Sequence, residues 1–255
     1  MTLYPILEFD PDPQAMIEAS RNIRPMDIPQ ACVPCFFNDI IREQLERGTL
    51  RVVASLYSEI GTHPVYVYDA GEGREVTVYH PGVGAPLAAG LLEEMIALGA
   101  RKFVACGGAG ALDQRLTLGH ILIPTSAVRD EGTSYHYVPP SREIEADPAA
   151  IAAIEAVLNE RELPYIAGKV WTTDALFRET PGKVRARREE GCLAVEMEAA
   201  TFFAVARFRG LPFGQLLYSG DDLSGPEWDS RGWTTRADIR QHLFELAVAA
   251  VLRLE

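Results

Sequence analysis

A chain of 255 residues, 47% of them hydrophobic, is long enough to bury the core of one large α/β domain. Its formal charge of −12 argues against nucleic acid or an anionic membrane as partner, because both are bound through basic surface. No apolar run reaches the roughly 18 residues of a membrane span, and the opening MTLYPILEFDPDP lacks the basic start and apolar centre of a signal peptide, so a cytoplasmic address and a small-molecule ligand or another protein as partner are the expectations.

In chain order, Cys32 and Cys35 come first, in CVPC. That pair suits a redox motif or half of a zinc site, but no second pair and no histidine pair completes it, so a plain loop and no metal are expected. Asn38 is placed to cap a helix that ends at Gly48. Segments rich in Val, Ile and Tyr then predict strands at Leu50–Leu56, Val65–Tyr68 and Val76–Tyr79. The third runs into HPGVGAP, where Gly82 and Gly84 allow backbone amides to approach an anion and Pro86 opens a helix ending near Gly99. An ordinary tight turn accounts for the same residues.

A strand at Lys102–Cys106 leads into CGGAGAL, in which Gly107, Gly108 and Gly110 make either an anion-binding loop or room for close packing. Further strands are expected at Ile121–Ile123, Lys169–Thr172, Leu193–Val195 and Gln215–Tyr218. Asp147 and Pro148 start a helix with Ile151, Ile154 and Leu158 on one face, and the final helix repeats the pattern with Ile239, Leu243, Leu246 and Ala250. Alternating strands and helices predict a single α/β domain over residues 1–255, a central mixed sheet covered on both faces, and ligands at the carboxyl ends of strands.

Three segments there carry chemistry. In TTDALFRET, Phe177 is a flat ring suited to a flat ligand, although such rings more often fill cores. In CLAVEMEAATFFAVARFRG, an apolar strand delivers Glu196, Met197 and Glu198 at the head of a helix. Glu198 alone reads as an acid complementing the helix dipole, but Glu196 arrives on a buried strand, where a carboxylate is costly unless it accepts hydrogen bonds. Such a pair is suited to binding sugar hydroxyls. In LLYSGDDLSG, Asp221 and Asp222 end a strand, where one is placed to act as a general acid or, more plainly, to cap a turn.

Taken in order, GVGAPLAAGLLEEMIALGARKFVACGGAGAL, RDEGTSYHYVP, TTDALF and VEMEAA resemble the nucleoside phosphorylase family, which includes uridine phosphorylases, hexameric purine nucleoside phosphorylases and methylthioadenosine nucleosidases. The resemblance implies one α/β domain around a distorted mixed sheet and cleavage of a nucleoside's N-glycosidic bond, usually by phosphate as co-substrate. It also implies homo-oligomers, dimers or hexamers built from dimers, with sites at the dimer contact, and no metal or organic cofactor. By position, Met197 would pack under the ribose, Glu198 would accept its hydroxyls and Glu196 would support that site. Leu176 and Phe177 match the base-contacting part of the motif, and Thr173 and Gly108 fall in substrate-lining positions. The glycines at 82, 84, 107 and 108 correspond to the phosphate loops. The aspartate that protonates a leaving purine corresponds to Asp221, or to Asp222 after a one-residue shift; RDEGTSYHYVP looks instead like the uridine branch.

The departures from the family concern phosphate, which guanidinium groups grip with paired hydrogen bonds. Where relatives write Gly-Asp-Pro and then an arginine, this chain reads CFFND, with Asp39 in the arginine's place. Ala105 and Gly108 stand where an arginine and a hydroxyl are expected, and ASLYSEIG lacks the arginine usually lent to a neighbouring subunit. Arg42, Arg51 and Arg178 are the available substitutes. Three readings follow: a phosphorylase with a rearranged phosphate site, a nucleosidase that uses water, and a nucleoside sensor without turnover.

Overall fold

The computed structural model describes residues 4–255, so the first three residues of the N-terminal stretch lie outside it. In chain order the elements are α1 (Ala19–Asn22), β1 (Ala31–Pro34), α2 (Asn38–Glu46), β2 (Leu50–Ser58), β3 (Gly61–Asp69), β4 (Glu75–Tyr79), α3 (Ala85–Leu98), β5 (Lys102–Ala111) and β6 (Ile121–Asp130). They continue with β7 (Glu143–Glu145), α4 (Pro148–Glu160), β8 (Tyr165–Thr173), α5 (Pro181–Glu189), β9 (Ala194–Glu196), α6 (Ala199–Arg209), β10 (Phe213–Asp222) and α7 (Ala237–Val251).

Among the described residues all ten strands join one mixed sheet in the order β10-β6-β8-β9-β5-β1-β4-β3-β2, with β7 on the edge of β6. Strand β10 also pairs with β5, so β5, β9, β8, β6 and β10 close on themselves while the β1-β4-β3-β2 wing stays open. That closure is the distortion expected of the mixed sheet. Helices cover both faces: α3 and α6 pack with Phe103, Phe202 and Phe213 in one core, and α2, α4 and α7 pack with Ile40, Ile154 and Phe244 in the other. Helix α6 is buried from Ala199 to Ala206, which explains why its sequence is apolar all round rather than striped. No helix of the described residues is long and apolar enough to cross a membrane.

Several expected boundaries hold. Asp147 caps α4 by accepting the Ala150 amide at 2.9 Å, and Pro86 sits in the first turn of α3. Three expectations fail for identifiable reasons. Asn38 is the first residue of α2 rather than its cap; Phe37 occupies the cap position and makes no side-chain cap bond. CVPC is not a loop, because Cys32 and Val33 pair with both β4 and β5 or with β4 alone as part of a short, fully buried parallel strand. Pro34 closes that strand, where its missing N–H is tolerated. Both cysteines are free thiols, and among the described residues no group of three His, Cys, Asp or Glu side chains is placed to hold a metal.

The third correction concerns CGGAGAL. Strand β5 does not stop at Cys106 but runs on through Gly107, Gly108 and Gly110, paired with β10 and then with Val195 of β9. These glycines are therefore strand residues and do not form a loop. A Cβ on Gly108 would stand 3.2 Å from the Tyr218 ring, and one on Gly110 would stand 2.6 Å from Leu223 Cδ1. Glycine is needed there for close packing, the second of the two readings above.

Candidate active site

The turn between β4 and α3 is built on two left-handed glycines, Gly82 at φ +77° and Gly84 at φ +91°, conformations that a side chain would strain. The Gly82 amide donates to His80 Nδ1 at 3.0 Å, so that nitrogen carries no proton. Burial holds the His80 pKa below its usual value despite a hydrogen bond with the Phe36 backbone, and the ring is neutral. The Gly84 amide, at the head of α3, points at a carboxyl group of the protein itself: Glu198 Oε1 accepts it at 2.5 Å.

Glu198 follows β9 and caps α6, and it is buried, as is Glu196. Glu196 accepts from the Thr172 hydroxyl through Oε1 and from the amides of Glu198 and Ala199, at 2.7 and 2.6 Å, through Oε2. The Thr172 hydroxyl in turn accepts the Ala200 amide at 3.0 Å. Glu196 therefore satisfies the N-terminal amides of α6, which repays its arrival on a buried strand. Desolvation still raises its pKa to about 7, against those hydrogen bonds. Glu198 is raised further, to about 8, by desolvation and then by the charge of Glu196, with the Gly84 amide opposing. The helix amides favour the ionised form of Glu196, whereas burial and the Glu196 charge favour the protonated form of Glu198. Met197 lies half-buried between them.

The two aspartates at the end of β10 differ. Asp222 is bound to Arg231 and accepts the Ser224 amide at 2.7 Å. Desolvation pushes its pKa up, but these bonds outweigh burial and hold it below the usual range. Among the described residues Asp221 accepts only the Trp228 indole N–H, at 2.7 Å through Oδ2, and its Oδ1 lies against Gly110. Because β5 lies between β10 and β9, the Asp221 and Val195 backbones are two strand spacings apart, about 10 Å. Strand β10 runs parallel to β5 and β9 antiparallel to it, so Asp221 and Val195 share the level of Gly110, and the Glu196-Met197-Glu198 turn leaves that level in the direction opposite to Asp222.

Thr173 is buried, with its hydroxyl accepting the Ala175 amide at 3.2 Å, and it is Thr172 that supports the acid pair. Leu176 and Phe177 are in neither core: they sit on a short turn at Leu176–Arg178, with Phe177 91% exposed. RDEGTSYHYVP is consumed by folding. Buried Arg129 donates to the Ser134 and Ser141 hydroxyls and the Val138 and Pro139 carbonyls, and Glu131 accepts the Thr133 and Ser134 amides and the Thr201 hydroxyl.

The arginine question also has a structural answer. Asp39 is paired with Arg240 of α7 at 3.0 Å, and the Arg240 guanidinium stacks over Phe37 and Trp233 at 5.5 and 5.7 Å. An acid in the arginine's place is therefore neutralised by an arginine from elsewhere in the chain. Arg51 is committed to Glu75, and Arg42 and Arg178 are exposed.

One residue escaped the sequence reading. Glu179 lines a cavity of about 1130 Å³ together with Val184, Leu193, Leu223 and Trp228; Met197, Glu198 and Asp221 do not line it. Among the described residues its carboxylate has no hydrogen-bond or ion-pair partner, and burial followed by the charge of Asp221 raises its pKa to about 7. The signal was present only as an acid beside TTDALF, because the charge that isolates it comes from a strand more than 40 residues away.

A family model described as "Phosphorylase superfamily" matches residues 41–253. A guanosine phosphorylase of Halorubrum lacusprofundi is 32% identical over 145 residues, a match spanning 57% of this chain and 60% of that protein. A uridine phosphorylase of Thermococcus kodakarensis is 31% identical over 209 residues, 72% of this chain and 73% of its own. Among solved structures, a Vibrio fischeri uridine phosphorylase superposes with a TM-score of 0.72 at 23% identity, covering 89% of this chain and 90% of its own. An AMP nucleosidase of Bacteroides thetaiotaomicron does so with a TM-score of 0.69 at 22% identity, covering 88% and 87%.

Proposed function

Because this chain belongs to the phosphorylase superfamily, we propose that it cleaves the N-glycosidic bond of a purine nucleoside, with phosphate as the nucleophile. The observation that carries the proposal is the buried Glu196-Met197-Glu198 turn seated on the Gly84 amide, with Asp221 across β5 at the level of Gly110, where β9 also pairs. Ribose hydroxyls donate to Glu198, and these donors, with the positive charge the sugar develops, draw its pKa down from about 8 and favour the ionised carboxylate. As the bond between C1′ and the base nitrogen breaks, the sugar gains cationic character, so carboxylate charge stabilises the transition state more than the bound substrate. Asp221 gives its proton to the departing base, whose nitrogen keeps the bonding electron pair, and a phosphate oxygen closes on C1′. The bond to Arg231 favours the ionised form of Asp222 and so supports Asp221 in the acid's role.

A purine is supported by the presence of an acid at Asp221 and by Glu179. A carboxylate there accepts two adjacent N–H groups, the pattern that guanine presents, whereas the single N–H of uracil is flanked by carbonyl oxygens that a carboxylate repels. The Halorubrum relative named a guanosine phosphorylase agrees with this choice. A homo-oligomer belongs to the same proposal.

Hydrolysis is the second reading, favoured by one observation: the arginine nearest Asp39 is locked by Asp39, Tyr218 and Trp233 rather than free to hold phosphate. Incubating guanosine, inosine and uridine with and without phosphate, and identifying the sugar product, tests both readings. Phosphate-dependent release of guanine with ribose 1-phosphate is expected. Free ribose, formed at the same rate without phosphate, would replace phosphorolysis with hydrolysis.

A further inference from the structure

We propose that Trp228 is the positioning residue for Asp221, fixing which carboxylate oxygen delivers the proton; this rests on the reading of Asp221 as the acid. Trp228 is 63% exposed, so its ring is not held in place by a core. The one polar bond its indole makes among the described residues is the 2.7 Å donation to Asp221 Oδ2. The backbone fixes that approach. Asp222 and Asp229 exchange amide-to-carbonyl bonds of 2.7 and 3.0 Å, closing the segment Leu223–Trp228 into a loop, and Arg231 pins its far side to the Asp222 carboxylate and, at 2.9 Å, to the Leu116 carbonyl.

An indole nitrogen is a donor only, so the Oδ2 lone pair it meets cannot carry the proton on that side. Oδ1 has no hydrogen-bond partner among the described residues and lies beside Gly110, where a Cβ would be 3.4 Å away. The transferable proton is thereby assigned to Oδ1, and the carboxyl plane is held by a bond on its opposite oxygen. Glu179 is the other ionisable group facing Asp221, and it lines the same cavity as Trp228. No hydrogen bond joins Glu179 to Asp221, so among the described residues the indole alone orients the acid.

Trp228→Phe keeps the ring and removes the donor. It is expected to lower kcat for base release by roughly tenfold, through misplacement of the acid, with KM changed less than twofold. The same substitution in an Asp221→Asn background is expected to have no further effect, since there is no proton to place. An equal loss in both backgrounds, a change confined to KM, or an unchanged kcat overturns the inference. If Asp221→Asn leaves kcat unchanged, the reading of Asp221 as the acid fails as well. If Asp221→Asn cripples the enzyme and Trp228→Phe does not, only the role of Trp228 fails.

Discussion

Glu198→Gln is the most informative single change, because it separates what the carboxylate costs the fold from what it gives the chemistry. In the folded protein the Glu198 pKa stands at about 8 against an ordinary 4.5, because burial and the neighbouring Glu196 charge disfavour its ionised form. The folded state therefore binds this proton more tightly than the unfolded chain does. The resulting stability is fully present below pH 4.5 and is lost as pH rises through about 8. A shift of that size corresponds to on the order of 5 kcal/mol between the two ends of the window. Glutamine keeps the shape and the acceptor for the Gly84 amide but cannot ionise, so the variant should escape that loss. Urea denaturation at pH 5 and pH 9 measures it: the wild type should lose several kcal/mol more than the variant across the interval. Base release should meanwhile fall by about 10²- to 10³-fold, the usual cost of removing one charge-stabilising group from a transition state. Parallel stability curves for the two proteins would refute the account of Glu198 as a buried acid paired with Glu196.

Asp221→Asn should lower kcat by about 10²- to 10⁴-fold with little loss of stability, as expected of a general acid. Asp222→Asn should instead lower the melting temperature and, since it releases Arg231 from the loop that carries Trp228, lower kcat by no more than roughly tenfold; steady-state kinetics beside thermal unfolding distinguishes the two. Arg240→Met leaves Asp39 without its counter-ion and should cost about 2–3 kcal/mol in denaturant unfolding, much of it recovered in the Asp39→Asn, Arg240→Met double variant. Glu179→Gln should raise KM for guanosine while leaving uridine unaffected, and equal effects on both would remove Glu179 from base recognition.

The acid pair was legible in the sequence because two glutamates at the end of an apolar strand violate the usual cost of burial, and such a violation demands a partner or a function. Strands with β-branched residues were legible for the ordinary reason of propensity. Strand β1 was not, since a four-residue strand of Ala, Cys, Val and Pro carries almost no local signal and exists through pairing with β4 and β5. The glycines of β5 were misread because glycine disfavours strands locally. They are retained there because Phe36, Tyr218 and Leu223 press against that stretch from other parts of the chain. The roles of Glu179, Trp228 and Arg240 depend on contacts across the fold, so no spacing rule exposes them. Asp39 illustrates the limit best: the sequence shows an acid where a base is expected, and only the fold shows that Arg240 cancels it.

The central claim is that Glu198 and Asp221 together break a purine nucleoside's glycosidic bond. Chromatographic detection of free guanine from guanosine in phosphate buffer, for the wild type, Glu198→Gln and Asp221→Asn side by side, tests it most directly. The account predicts steady guanine release by the wild type and a loss of at least about a hundredfold in each variant. Absence of guanine from the wild type, or undiminished release by either variant, would contradict it.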